Sequence, residues 1–378
     1  MSGEPIVARV GDGVAGFAAA DWDRCASDDD PFLSHAFLSA VEESGSATAE
    51  TGWRPLPIAI DGPDGRPDAL LPTYLKSHSQ GEYVFDHGWA DAYSRAGGAY
   101  YPKLQIAVPF TPVPGRRLLT RNPALAPALI AASERLVDAN GLSSAHATFI
   151  AEDELPQFER AGWLIREDSQ FHWLNEDYAD FDAFLAALSS RKRKAILKER
   201  ASAQAQVEIV HLSGADLTEA HWDAFWAFYQ DTGSRKWGRP YLTRAFFSLL
   251  GERLADRVLL ILALRDRVPI AGALNLIGAR ALYGRYWGCA EDVPFLHFEL
   301  CYYQAIEAAI ARGLGRVEAG AQGAHKLARG YRPTPTWSAH YIADPGFRAA
   351  VSDFLRRERP AVAHEIAALD EMAPFRKG

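Results

Sequence analysis

One arrangement occurs twice in the sequence, and it restricts the fold more than any other feature. In the first half, Arg54–Ile60 has the pattern of a strand, the turn Asp61–Arg66 (DGPDGR) reverses the chain, Asp68–Lys76 is a second strand and Glu82–Asp86 a third. In the second half, Arg257–Leu264, a tight turn at Arg265–Val268, Pro269–Ile277 and Ala281–Gly288 repeat that three-strand meander. Each meander is followed, after an interval, by a helix, a Gly-Leu pair and another strand. The first copy is Pro123–Asn140, Gly141-Leu142 and Ala145–Ile150; the second is Phe295–Arg312, Gly313-Leu314 and Arg316–Gly320. A glycine at that place suits a left-handed helix C-cap. The first copy is longer, mainly through an extra stretch around Asp86–Thr120.

Alternating strand and helix signals define a mixed α/β class. A meander, a helix laid on the sheet and a further strand form the skeleton of a GNAT-type (acyl-CoA N-acyltransferase) domain. Two copies predict a tandem, residues 1–174 and 175–378; chance likeness of two α/β halves is the competing explanation. The length, 378 residues, suits two domains of ~100–200 each. Between the copies, Ser189-Ser190 suits the start of a helix running to about Gln206, and Thr218 the start of an aromatic-rich one running to Gly233. Near the C-terminus, Gly346–Arg359 and Pro360–Met372 read as helices; Pro360 either starts the second or kinks a single long one.

Composition narrows the function classes. With 48% hydrophobic and 23% charged residues the chain is an ordinary globular one. Its longest strongly apolar run, Val258–Leu264, is far short of the ~20 residues that span a bilayer. The start of the sequence shows no signal-peptide pattern, and three scattered cysteines (Cys25, Cys289, Cys301) point to reduced thiols, so a cytoplasmic setting is expected. No CxxC pair suggests a structural zinc. The net charge of −8 sits in residues 1–50, with ten acids and two arginines, so the other 328 residues sum to zero. That body could host an anionic ligand, but charge alone gives no reason to expect double-stranded DNA as a partner.

Two C-terminal segments concentrate chemistry-bearing side chains. In Pro294–Gln304 (PFLHFELCYYQ), helical spacing puts His297, Cys301 and Gln304 on one face and Glu299, Tyr302 and Tyr303 on another. A carboxylate complementing the helix dipole, with His297 bonded near the cap, is the structural alternative. In Glu318–Gly330 (EAGAQGAHKLARG), a strand runs into a glycine-rich turn bearing Gln322, Gly323, His325, Lys326 and Arg329. Glycines allow close approach to backbone, and Lys326 with Arg329 could meet an anion or a developing oxyanion. A solvated basic turn would look the same. In the first half, Arg116 and Arg117 after a Pro/Gly loop could cradle a pyrophosphate, or the loop is merely rigid surface. Tyr101 and Lys103 belong to a stretch of polar-tipped aromatics that reads equally as substrate wall or packing. Arg191–Arg200 carries six cations and one acid; it is a candidate contact for tRNA phosphates or an anionic lipid surface, against the commoner solvated helix face. Trp237 and Arg239, in a loop mixing cations with an indole, could touch the same ligand.

At these motifs the chain resembles the FemAB-like proteins, described as peptidoglycan biosynthesis or recognition proteins. The likeness is carried by Leu296–Gln304 (LHFELCYYQ) and Gly320–Gly330 (GAQGAHKLARG), with Pro31–Ser46 and Tyr100–Leu119 fitting the same group, and covers about residues 30–375. One departure is Ala324, where the pattern has a Glu before His325-Lys326. The resemblance implies a tandem GNAT fold and transfer of an acyl or aminoacyl group to an amine. In the peptidoglycan branch, aminoacyl-tRNA donates an amino acid to a stem peptide, assisted by a lysine matching Lys326. Acyl-CoA or an acyl carrier protein would be the alternative donors, none of them tightly bound, and a small molecule, a lipid or a muropeptide the amine acceptor. Expected catalytic roles fall to Lys326 for the oxyanion, Glu299 or His297 for the amine proton, and Tyr302 or Cys301 as acid, with His325 beside them. A non-catalytic muropeptide or tRNA recognition module on the same fold is the other reading. A metal hydrolase built on His297, Glu299, His325 and His340 lacks any supporting spacing.

Overall fold

A computed structural model describes residues 6–26, 29–237, 240–321 and 323–376, without the side chains of 232–237 and 324. The chain forms two compact units, residues 1–168 with 336–363, and residues 169–335 with 364–378.

In the first unit the strands are β1 (Ala8–Val10), β2 (Trp53–Pro55), β3 (Ile58–Asp61), β4 (Pro67–Leu71), β5 (Thr73–Lys76), β6 (Lys103–Ile106), β7 (Leu119–Thr120) and β8 (Ser144–Ile150). The sequence predicts two unbroken strands where β2–β3 and β4–β5 stand. Pro57 and Pro72 interrupt them, because a proline cannot donate to the ladder. The halves then join different sheets: β1-β3-β4-β7 in order, and β8-β6-β5-β2 in order. The third strand of the meander is β6, not Glu82–Asp86, which has no strand pairing and precedes the helix His87–Arg95. The helix Ala126–Ala139 buries Leu129, Ile130 and Val137 in a core with Leu104, Ile106, Ala145 and Ala147. β6 and β8 run parallel.

The second unit repeats this order. Its strands are β9 (Leu164–Leu174, from Ser169 on), β10 (Glu208–Leu212), β11 (Val258–Arg265), β12 (Val268–Ile277), β13 (Ala281–Cys289) and β14 (Arg316–Glu318). The order β10-β11-β12-β13-β14-β9 is antiparallel except for the parallel pair β13–β14. The helical segment 296–311 covers one face of the sheet, and the helix Glu219–Trp237 packs on β13.

Both Gly-Leu pairs close their helices in the same way. Gly141 and Gly313 have φ of 60° and 64°. Leu142 N–H donates to Val137 O at 3.0 Å and Leu314 N–H to Ala309 O at 2.9 Å, the six-to-one bond of a Schellman cap.

The division of the chain is not the linear cut at residue 174 that the sequence suggests. β15 (Arg332–Ile342) pairs with β8 from Trp337↔Ile150 to Ile342↔Ser144, and Val351 and Leu355 pack with Trp89 and Tyr100, so residues 336–363 complete the first unit. The two expected C-terminal helices are one, Pro345–Glu371, with Pro360 inside it. Among the described residues no helix is long and apolar enough to cross a membrane.

Candidate active site

The site lies in the second unit, where a parallel strand pair ends. β13 and β14 pair at Ala281↔Arg316, Leu282↔Val317 and Tyr283↔Glu318. The pairing then stops, and a cavity of about 120 Å³ opens beside Gly284 and Ala319. A bulge helps to make it: Asn275 faces Gly284 but Leu274 faces Tyr286, so Arg285 is an extra residue in β13. A side chain at position 284 would start 3.4 Å from the Glu318 carbonyl oxygen and 3.6 Å from Asn275 Oδ1, and would narrow the gap. On the other edge, Lys326 is buried and its Nζ donates to Ala319 O at 2.6 Å and Gly320 O at 3.0 Å. Phe171 N–H donates to Gly320 O at 3.1 Å and ties the same edge to β9.

The helical segment 296–311 supplies the facing wall, and its middle is a π-turn, Glu299–Tyr303. In a regular α-helix residues five apart diverge, whereas a π-turn aligns them. His297, Cys301 and Tyr302 therefore all line the cavity, with Trp287 opposite. This corrects the expected faces, which put Tyr302 with Glu299. The His297 ring lies 5.2 Å from that of Trp287 and 5.4 Å from that of Tyr302, centroid to centroid. Tyr302 is buried, burial pushes its hydroxyl pKa up, and its oxygen lies 2.9 Å from Nε2 of the exposed His325. Cys301 is half-buried and forms no disulfide among the described residues.

Glu299 and Tyr303 face away. The buried Glu299 carboxylate accepts from Arg200 Nη2 at 3.1 Å, Gln204 Nε2 at 2.8 Å and Gln304 Nε2 at 2.7 Å. Tyr303 donates to Glu199, which also accepts from Arg329 Nη2 at 2.8 Å. Arg329 covers the Phe298 ring at 3.4 Å and donates to His325 O at 2.7 Å. The turn at Gly323 has φ of 112°, and a Cβ there would lie 2.3 Å from the His325 ring. Gln322 and Arg239 lie outside the described residues, as does the Trp237 side chain.

The helix Ser190–Gln204 holds the basic run. Glu199 and Arg200 turn inward to the partners just named. Among the described residues Arg191, Lys192, Arg193, Lys194 and Lys198 make no ion pair. The helix also borders an open groove of about 790 Å³, lined by Leu185, Leu197, Arg200, His211 and Arg312 among others.

The remaining candidates belong to the first unit. Arg117 is fully buried: Nε donates to Thr148 O at 3.0 Å, Nη1 to Arg116 O at 2.9 Å and Nη2 to Val113 O at 3.0 Å, so its guanidinium is spent on the protein's own backbone and is not offered to a pyrophosphate. Arg116 reaches Asp153 at 4.0 Å. Lys103 is buried among Ser79, Glu82 and Asp86, and the Tyr101 hydroxyl meets Ser79 Oγ at 2.7 Å. This is packing inside the unit and not an open wall. Among the described residues no three His, Cys, Asp or Glu side chains are placed to hold a metal ion. Sequence reading missed Asn275, Arg285, Trp287 and Glu318; a glycine followed by a charged residue within an apolar strand was the one signal for the bulge.

Two units of one topology, each with a meander, a glycine-capped helix and a parallel strand pair, are tandem GNAT-like domains. The chain belongs to the FemAB-like family, described as peptidoglycan biosynthesis/recognition, whose model matches residues 13–377. Among solved structures, FemX is 12% identical with a TM-score of 0.56, over 89% of this chain and 98% of that one. The C-terminal domain of an Agrobacterium fabrum protein assigned as a lysylphosphatidylglycerol synthetase is 10% identical with a TM-score of 0.53, over 89% and 95%. L-PGS from Bacillus licheniformis is 10% identical with a TM-score of 0.52, over 87% and 98%. No curated protein sequence matches the chain.

Proposed function

We propose that the chain is an acyl- or aminoacyltransferase that moves its acyl group from an activated ester or thioester to an amine, at the splay between β13 and β14. The observation that carries this reading is the hydrogen bond between Tyr302, inside the cavity, and His325, outside it. The amine nitrogen attacks the acyl carbonyl, a C–N bond forms, and the C–O or C–S bond to the carrier breaks. Tyr302 gives its proton to the departing atom, and His325 restores it from solvent. Lys326 fixes the Ala319–Gly320 edge and places a positive charge behind it, which favours the oxyanion. His297 and Cys301 shape the wall, and Glu299 holds the π-turn in place.

The cavity size bears on the donor. A cavity of ~150 Å³ holds a benzene molecule, so about 120 Å³ suits an aminoacyl or short acyl group better than a long chain. The five cations of the helix Ser190–Gln204 that make no ion pair among the described residues suit the phosphates of a carrier: aminoacyl-tRNA first, with acyl-CoA and acyl carrier protein as the other donors. The family description refers to peptidoglycan, so muropeptides stand first among the amine acceptors, beside small amines and lipid amines.

The test is a matrix of those donors against those acceptors, read by mass spectrometry of the product. Amide formation from one pair, lost in Tyr302→Phe, supports the reading. Ligand binding without product from any pair would replace it with a recognition module.

A further inference from the structure

A carboxylate that the proposed transfer does not yet use stands at the splay. Glu318 is the last residue of β14 to pair with β13, opposite Tyr283, and it also lies directly opposite His172 of β9. Residues paired across strands share a face, and successive residues alternate. Leu282 and Val317 pack into the core with Leu300 and Ile306 of the segment 296–311. Glu318, His172 and Tyr283 therefore occupy the other face of the sheet, across the gap from Cys301 and Tyr302.

The surroundings of Glu318 differ from those of Glu299. Glu299 is satisfied by three side chains. Glu318 is 3% exposed, and its Oε1 accepts from Arg316 Nε at 2.8 Å. Its Oε2 is buried with no hydrogen-bond partner among the described residues, 3.8 Å from His172 Nε2. Burial holds the His172 imidazole down at about 3, so it is neutral and does not compensate the carboxylate. Burial raises the Glu318 pKa, against Arg316 and Arg285. An unsatisfied buried acceptor costs about 1–3 kcal/mol, more for a charged one, and Arg316, which pairs with Oε1, leaves that cost standing at Oε2. An open acceptor at the last paired rung of the splay suits a proton from a reacting group.

We infer that Glu318 is the proton acceptor for the attacking amine, which reaches the splay from the β9 face while Tyr302 serves the leaving group from the helix face. The assignment rests on the transferase reading. As the C–N bond forms, one proton passes from nitrogen to Glu318 Oε2; as the C–O or C–S bond breaks, one passes from Tyr302 to the leaving atom. Glu318 then releases its proton to solvent, and His325 returns one to Tyr302, so the protons balance. His172 is a positioning residue, holding the carboxylate without neutralising it.

The experiment compares wild type with Glu318→Gln, which keeps the side chain's shape, using the donor found by the matrix and two acceptors. One is the primary amine found there, an ammonium at neutral pH that releases one proton to solvent before it attacks. The other is methoxyamine, neutral at that pH, whose adduct is acidic enough for water to deprotonate. A base should be worth ~10²–10⁴ in kcat with the ordinary amine, at unchanged donor KM, and less than about tenfold with methoxyamine. Both rates come from one sample, so partial unfolding cancels in their ratio. Equal loss with both acceptors, or no loss with either, overturns the role. Absence of product in the wild type would overturn the transferase reading itself and this role with it.

Discussion

Tyr302 and His325 are 23 positions apart, on a π-turn and on a short helical turn, and their polar atoms stand 2.9 Å from each other. The contact depends on three local devices. The π-turn swings Tyr302 into line with His297. Gly323 leaves room for the imidazole, which any Cβ there would strike. Arg329 grips the His325 carbonyl and is itself held by Glu199. In the proposed reaction this contact is the path for one proton between an enclosed hydroxyl and solvent.

Removing the hydroxyl tests that path. Tyr302→Phe keeps the ring packing on His297 and Phe298 and should lower kcat by ~10²-fold or more, with little change in melting temperature. His325→Ala should cost less, because water can replace an exposed imidazole. Initial rates with calorimetry on the same samples check both. A Tyr302→Phe enzyme with wild-type turnover would remove the hydroxyl from the chemistry.

Lys326 joins structure to electrostatics. Its ammonium bonds the Ala319 and Gly320 carbonyls, which form one lip of the splay. Lys326→Ala leaves those carbonyls without a charged donor, and a hydrogen bond to a charged group contributes about 1.5–3 kcal/mol. A fall in stability of that size is expected, together with a sharp loss of turnover. Lys326→Met, which keeps the buried stem, should restore part of the stability and none of the activity. Urea melts and product assays separate the two effects.

How much of this was legible in the sequence depended on where the physics was written. Gly141 and Gly313 announced two equivalent helix ends, because the left-handed cap needs a glycine and follows a fixed spacing. Pro57 and Pro72 were visible, but their effect was not: a proline reports a missing donor, and only the neighbouring strands decide that the chain changes sheet. The π-turn has no residue signature, since the extra residue is tolerated through tertiary packing, and so Tyr302 was assigned to the wrong face. Glu318 stood in the quoted motif, yet its burial depends on His172, distant in sequence. The return of residues 336–363 to the first unit was hidden for the same reason, because β15 is chosen by the open edge of β8.

Glu299 gives a stability test separate from catalysis. Its enclosed carboxylate holds Arg200, Gln204 and Gln304, and Arg200 also bonds Glu307 at 2.7 Å. Breaking a buried pair by deleting one partner costs about 3–5 kcal/mol. Glu299→Ala should therefore destabilise the second unit by that order in urea unfolding, and Gln204→Ala by about 1 kcal/mol. Near-equal effects would mean that the ion pair is not what fastens the basic helix to the π-turn.

Acid stability follows from buried groups of opposite sign. In the first unit His146 and His340 face each other through Nδ1 at 2.7 Å; in the second, His172 is enclosed. Burial lowers all three, His146 and His172 to about 3 from an ordinary 6.5. Between those values the unfolded chain takes up protons that the folded one refuses, so their contribution is complete above 6.5 and is lost as pH falls to about 3. Each such histidine adds a slope of about 1.4 kcal/mol per pH unit. Glu42, Glu82 and Glu154 act the other way. Burial raises all three to about 7 from 4.5, so the stability they add is present below 4.5 and is lost as pH rises to about 7. The two sets oppose each other between 4.5 and 6.5; below 4.5 the histidines remain, and below 3.8 Asp86, whose burial is outweighed by the charge of Lys103, adds to the fall. Melting temperature should change little from pH 6.5 to 4.5 and fall steeply beneath that, and His172→Asn should soften the fall. A steady decline across the whole range, unaltered in the variant, would show that these imidazoles are not neutral in the folded protein.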